Sequence, residues 1–172
     1  KIDKEFNELM AKAAIKTSSE SFDEAKVLYK KAKELKPKDK NPAKKIKEID
    51  DIIKNLEKNK ATYDKLISEA EGLLTSKEYE KSKGKFKEAS EIFTKEEYPK
   101  KKISDIDGIL AKIKEQEKEY TDLMAKADKE LSSKEYEKAI TSYSSALKIK
   151  PTETKPTEQI AKAKSAIAQL KK

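Results

Sequence analysis

Apolar side chains recur along this chain at a fixed step of 57 residues, with no insertion or deletion to disturb it. Phe6, Tyr63 and Tyr120 stand one step apart, as do Phe22, Tyr79 and Tyr136, then Tyr29, Phe86 and Tyr143, then Ala32, Ala89 and Ala146. Pro42, Pro99 and Pro156 keep the same step, and so do Ile46, Ile103 and Ile160. A period of this length marks an array of supersecondary units, each too small to bury its apolar face alone. Three copies follow, 6–62, 63–119 and 120–172, as one continuous array. Residues 1–5 align with 58–62 and 115–119, which makes them the expected tail of a truncated upstream copy.

Each copy divides into three helical stretches, A, B and C. In the third copy, stretch A carries Tyr120, Leu123, Met124, Ala127 and Leu131 at the three-and-four spacing of one buried helical face. Helix B places Tyr136, Ala139, Tyr143, Ala146 and Ile149 on one side, and its alanines let a neighbouring helix come close. Between them, Thr75-Ser76-Lys77-Glu78 and Ser132-Ser133-Lys134-Glu135 have the spacing of a capping box. Pro37 and Pro151 are expected to end helix B in the outer copies, whereas the second copy has Thr94 there and reaches Pro99 five residues later. Asn41 before Pro42 predicts an N-cap and a first-turn proline.

Stretch C joins the next A without losing phase. Ile46, Ile49, Ile53, Leu56, Lys60, Tyr63, Ile67, Ala70 and Leu74 alternate steps of three and four, and Ile103 to Leu131 repeat the run. No proline intervenes, so the pattern predicts a single helix of about 33 residues, about 50 Å long, with Gly72 and Gly108 as points of slight bending. Lys60 and Glu117 place opposite charges at one seam position and are expected to be exposed near mid-helix. The prediction is an all-α chain of about seven helices, in which short B helices alternate with long fused C/A helices.

Composition removes whole classes of chemistry. The chain has no His and no Cys, which takes away the usual general acid or base near neutral pH, the commonest metal ligand and any thiolate. No cofactor is implied. Its 41 basic residues are all lysine, for a net charge of +8; without the arginine fork, a specific nucleic-acid reader is disfavoured. Lys44-Lys45 and Lys100-Lys101-Lys102 lie among interspersed acids and read as solvated helix faces in preference to an acidic-polymer site. Nine of the 11 aromatic residues occupy the three repeating positions, which assigns them to packing and not to base stacking. Phe93 and Tyr98 are the other two, and they too are expected to pack, near the corner between B and C. No apolar run is long enough for a membrane span, and no phosphate loop, serine elbow or calcium loop is present. The expectation is a non-enzyme.

The turn and helix B resemble a tetratricopeptide repeat. Tyr136-Glu137-Lys138-Ala139, Tyr143, Ala146-Leu147 and Pro151 match that family's small, aromatic, small and proline positions, and Ala127 falls where its first helix takes a small residue. Tetratricopeptide units run about 34 residues, so about 23 more here form stretch C. Tyr98-Pro99-Lys100-Lys101-Lys102-Ile103-Ser104-Asp105-Ile106 resembles an element of long-repeat proteins of bacterial cell envelopes. The resemblance implies a right-handed helical-repeat solenoid of three tetratricopeptide-like repeats in the bacterial cell envelope, with a protein or peptide partner seated along helix A. By position that groove would use Asn7, Asp64 and Thr121, then Glu71 and Asp128. The implied role is a non-catalytic protein–protein interaction or scaffold module; the alternative is a rigid structural spacer within a larger cell-envelope protein.

Overall fold

The computed structural model describes residues 1–170, so the end of the third copy, Lys171-Lys172, lies outside the described residues. Among the described residues the chain is all-helical, with seven helices and no strand: α1 (Ile2–Ser18), α2 (Phe22–Leu35), α3 (Asn41–Thr75), α4 (Tyr79–Ile92), α5 (Glu97–Ser132), α6 (Tyr136–Ile149) and α7 (Thr154–Leu170). Helices α3 and α5, of 35 and 36 residues, run unbroken from stretch C into stretch A. The described chain separates into two compact units, Lys1–Pro99 and a second that starts at Lys100, a division that falls inside the second copy.

In the first unit, α1 and α2 form a hairpin whose closest approach is made by small residues. Ala13 and Ala25 are completely buried, and the stripe Ile46, Ile49 and Ile53 on the first half of α3 closes over them with Tyr29, Met10 and Phe22. The second half of α3 packs on α4 through Ala70, Phe86 and Ala89. Ser82 stands where Ala25 and Ala139 stand in the other copies; it is fully buried, and its hydroxyl donates to the carbonyl of Ala70 at 2.7 Å. The second unit gathers Met124 and Ala127 of α5 with Ala139, Tyr143 and Ala146 of α6, while Ile160 of α7 packs against this cluster. Small side chains at the crossing bring the helix axes close, so the larger rings and isoleucines can fill the space on either side.

The turn between A and B is not the capping box that its spacing suggests. Thr75 and Ser132 are still helical, and their hydroxyls donate back to the carbonyls of Glu71 (2.9 Å) and Asp128 (2.8 Å). The glutamates do not reach back either: Glu78 and Glu135 precede the next helix and pair with Lys81 and Lys138. The helix is closed instead by a Schellman motif, with Glu78 N–H donating to the Leu73 carbonyl and Lys77 N–H to that of Leu74. This motif puts one residue in the left-handed region, and the three copies use Glu20, Lys77 and Lys134, at φ 59, 61 and 62.

Two further boundaries differ from expectation. Asn41 is the first residue of α3, not its cap; its N–H donates to Asp39 Oδ1 at 2.8 Å, so the aspartate two residues earlier satisfies that donor. Helix B ends at the same register in all three copies although Thr94 replaces proline. The capping residues Lys36, Phe93 and Lys150 share φ near −125 and ψ near 80 (ψ 74, 85 and 83). Each turns its side chain onto the aromatic ring that begins helix A, so the stop does not depend on proline.

The middle of each long helix is exposed. Every residue from Lys54 to Thr62 in α3 is exposed, and so is every residue from Ala111 to Glu119 in α5, one step later. Each bare stretch is about 14 Å of helix. The seam positions Leu56 and Ile113 fall inside it and are 41% and 44% exposed. Lys60 and Glu117 are exposed as well, as their mid-helix position predicts.

A side chain other than glycine at the left-handed position costs about 1 kcal/mol of backbone strain. Lys134→Gly is therefore expected to stabilise the chain by about 0.5 kcal/mol, after the extra freedom of glycine in the unfolded chain is subtracted. A urea titration checks this, and a loss of stability would contradict the Schellman assignment.

Candidate functional site

The positions expected to face a ligand along helix A do not behave as one set. Asn7 on α1 is exposed. Asp64 is exposed and pairs with Lys60 at 3.0 Å along α3. Glu71, two turns further on the same face, accepts a hydrogen bond from the Tyr98 hydroxyl. In the second unit Thr121 is exposed, but its hydroxyl donates to the Glu117 carbonyl at 2.8 Å. Asp128 is half-buried; Oδ1 accepts from the Tyr143 hydroxyl at 2.5 Å, and Oδ2 lies 3.4 Å from Lys155 Nζ. Asp64 shares a face with Glu71, and Thr121 with Asp128, at a spacing of seven residues.

Glu71 and Asp128 are thus engaged in tying helix A to the start of helix C. Tyr98 and Lys155 are the same register position, 27 residues beyond each acid. Burial first, then the hydrogen bond to Asp128, pushes the Tyr143 hydroxyl well above its ordinary pKa. The bond to Glu71 is the leading cause of the rise at Tyr98. Both hydroxyls remain donors throughout the neutral range.

A second constellation lies where helix B ends on the start of helix A. Lys36 Nζ sits 4.6 Å from the centre of the Phe6 ring and 2.6 Å from Asp3 Oδ1. Lys150 repeats this over Tyr120, at 4.6 Å, and reaches Glu117 at 2.5 Å. The hydrogen bond to Lys36 holds the Asp3 carboxyl below its usual range, and the bond to Glu117 raises the Lys150 ammonium. In the middle copy both members change together. Lys60 replaces the acid and Phe93 replaces the lysine, and Phe93 meets the Tyr63 ring edge-on at 5.3 Å. The opposite charges of Lys60 and Glu117 follow from this exchange, and sequence reasoning missed it. Asp3 with Lys36, Lys60 with Phe93 and Glu117 with Lys150 share a separation of 33 residues, which is the signal that identifies them.

Among the recesses on the first unit, two are set by differences between the copies. One, of about 570 Å³, is an apolar hollow between α1 and α2 where Ile15 (67% exposed) and Val27 (51%) stand among Lys12, Lys16, Asp23 and Glu24. The other, of about 230 Å³, is lined by Ala14, Tyr29, Lys45 and Glu48 where α1 and α2 meet α3. Tyr98, expected near the B–C corner, meets the Phe86 ring edge-on at 6.3 Å between centres. Among the described residues, no group of three or more acidic side chains is arranged to hold a metal ion. No described helix is long and apolar enough to cross a membrane. In comparisons with known proteins, no family model matches the chain, and no curated protein or solved structure matches it either.

The exchange at Lys60 and Phe93 is testable by a double-mutant cycle. Lys60→Glu and Phe93→Lys together recreate the arrangement of the outer copies. The double variant is expected to be about 0.5–1 kcal/mol more stable than the sum of the two single changes implies. Additive changes in urea unfolding would show that the two positions do not interact.

Proposed function

We propose that the chain is a non-catalytic scaffold segment that works as a rigid spacer, built as an array of three tetratricopeptide-like 57-residue repeats within a larger cell-envelope protein. The observation that carries this reading is the exposed middle of α3 and α5, where the chain extends for about 14 Å as helix with every residue exposed. A binding groove has no use for such a stretch. A spacer does, because it adds length as continuous helix. The commitment of Glu71 and Asp128 to bonds within their own copies also favours spacing over a ligand groove along helix A. The cell-envelope setting belongs to the same proposal and rests on the resemblance of 98–106.

A second reading, a protein-interaction module, is favoured by the hollow at Ile15 and Val27. The other copies carry Gly72 and Lys129, then Gly84 and Thr141, at those positions, so the apolar patch belongs to the first copy alone. Capture of a partner that is lost with Ile15→Asp, or with alanine at Asn7, Asp64 and Thr121, would favour this reading over the spacer.

The absence of cysteine allows two labels to be introduced without interference. Spin labels at Lys47→Cys and Ser68→Cys flank the bare stretch of α3, 21 residues apart. Their separation is expected as a single narrow distribution near about 32 Å along the helix axis, broadened only by the labels. A wide distribution extending to shorter distances would mean that the helix folds over at its middle, and the spacer reading would fail.

A further inference from the structure

Two of the three copies carry a carboxylate on helix A at one register position, and in both a tyrosine hydroxyl binds it. Asp128 is met by Tyr143, with Lys155 alongside; Glu71 is met by Tyr98, because the second copy has Phe86 in place of the helix B tyrosine. The first copy keeps that tyrosine as Tyr29, 3% exposed, but has Ala14 where the acid belongs. Tyr29 Oη has no hydrogen-bond partner among the described residues, and since none of their buried polar side-chain atoms is left unsatisfied, solvent reaches this hydroxyl. Tyr29 lines the 230 Å³ cavity, together with Ala14, Thr17, Lys45, Glu48 and Ile52. The hydroxyl of Thr17 donates to the carbonyl of Ala13 and does not turn into the cavity as a donor. Lys45 lies 2.8 Å from Glu48 Oε2, which engages one of its three N–H donors.

We infer that this pocket binds a carboxylate carried by another molecule, held between the Tyr29 hydroxyl and the Lys45 ammonium. The chain supplies its own precedent at Asp128, where a carboxylate is held by a tyrosine hydroxyl with a lysine beside it. Ala14 leaves the space the acid side chain fills elsewhere, and Ile52 offers an apolar wall for methylene groups. An acidic side chain of a partner protein therefore suits it better than a bare anion. Glu48 opposes the incoming charge and keeps the affinity modest. The inference is independent of the spacer reading, since it concerns one pocket of the first copy.

The test is a chemical-shift titration of the isotope-labelled full chain at constant ionic strength. The probes are sodium acetate, the peptide acetyl-Gly-Glu-Gly-amide and its glutamine counterpart. The Glu peptide is expected to give saturable shifts centred on Ala14, Thr17, Tyr29 and Lys45, and the Gln peptide none. Tyr29→Phe, which the second copy already accommodates as Phe86, is expected to weaken binding about tenfold without unfolding the chain. Ala14→Asp supplies the missing acid in cis and is expected to abolish binding while raising the melting temperature. Glu48→Gln is expected to tighten binding about threefold by removing the opposing charge. Acetate binding as tightly as the Glu peptide would keep the site and assign it to small carboxylates. An absence of saturable shifts, or wild-type binding by both Tyr29→Phe and Ala14→Asp, would overturn the inference.

Discussion

A helix of 35 residues must satisfy its own backbone along its whole length, and α3 and α5 do so across nine residues that are all exposed. An isolated helix of nine residues would not persist in water, because closing the first turn costs about 4 kcal/mol. Here that cost does not arise. The turns on either side are already helical, held by packed side chains, so the bare stretch only has to propagate. Propagation is close to neutral for good helix formers, which leaves the sequence of the stretch to decide its firmness. In α5 it is Ala-Lys-Ile-Lys-Glu-Gln-Glu-Lys-Glu, dominated by strong helix formers. In α3, Asn55, Asn59 and Thr62 weaken it.

The packed ends are built around contacts between very small residues. Ala13 with Ala25, Ala70 with Ser82, and Ala127 with Ala139 are all completely buried, and a larger side chain at any of them would separate the helices and loosen the rings beside them. Ser82 shows how narrow the allowance is. Its extra atom is tolerated because the hydroxyl finds the Ala70 carbonyl, so the buried polar group is satisfied. At the other end of each hairpin, the residue after helix B folds onto the first ring of helix A. That contact survives the change from Lys36 and Lys150 to Phe93 because attraction to a ring can be cationic or aromatic, provided the acid partner changes with it.

What the sequence discloses and what it conceals follow from the range of each interaction. The positions of the seven helices and the fusion of C with A were legible, because apolar spacing of three and four is a local signal that continues unbroken from Ile46 to Leu74. The A–B turn was misread for a local reason as well. A Schellman motif is usually announced by glycine, and Glu20, Lys77 and Lys134 hide it, while Thr75 and Glu78 imitate a capping box. At the candidate site, the exposure of Asn7, Asp64 and Thr121 was readable from the helix face. The engagement of Glu71 by Tyr98 was not, since it depends on where the start of α5 comes to rest, 27 residues away in sequence. The open pocket at Tyr29 was hidden for the same reason: the 57-residue step aligns Ala14 with Glu71 and Asp128, but only the structure shows the tyrosine hydroxyls that bind those acids.

The central claim is that the long helices are anchored at both packed ends and bare between them, and amide hydrogen exchange reads this directly. The account predicts three tiers of protection. Amides bonded inside the packed segments, such as those of Ile49, Ala70 and Ala127, exchange slowest; those at 115–119 of α5 are intermediate; those at 58–62 of α3, weakened by the asparagines, are faster but still slower than an unfolded chain. Exchange at 58–62 and 115–119 as fast as in an unfolded chain would contradict the account, because the two stretches would then be flexible links and not helix.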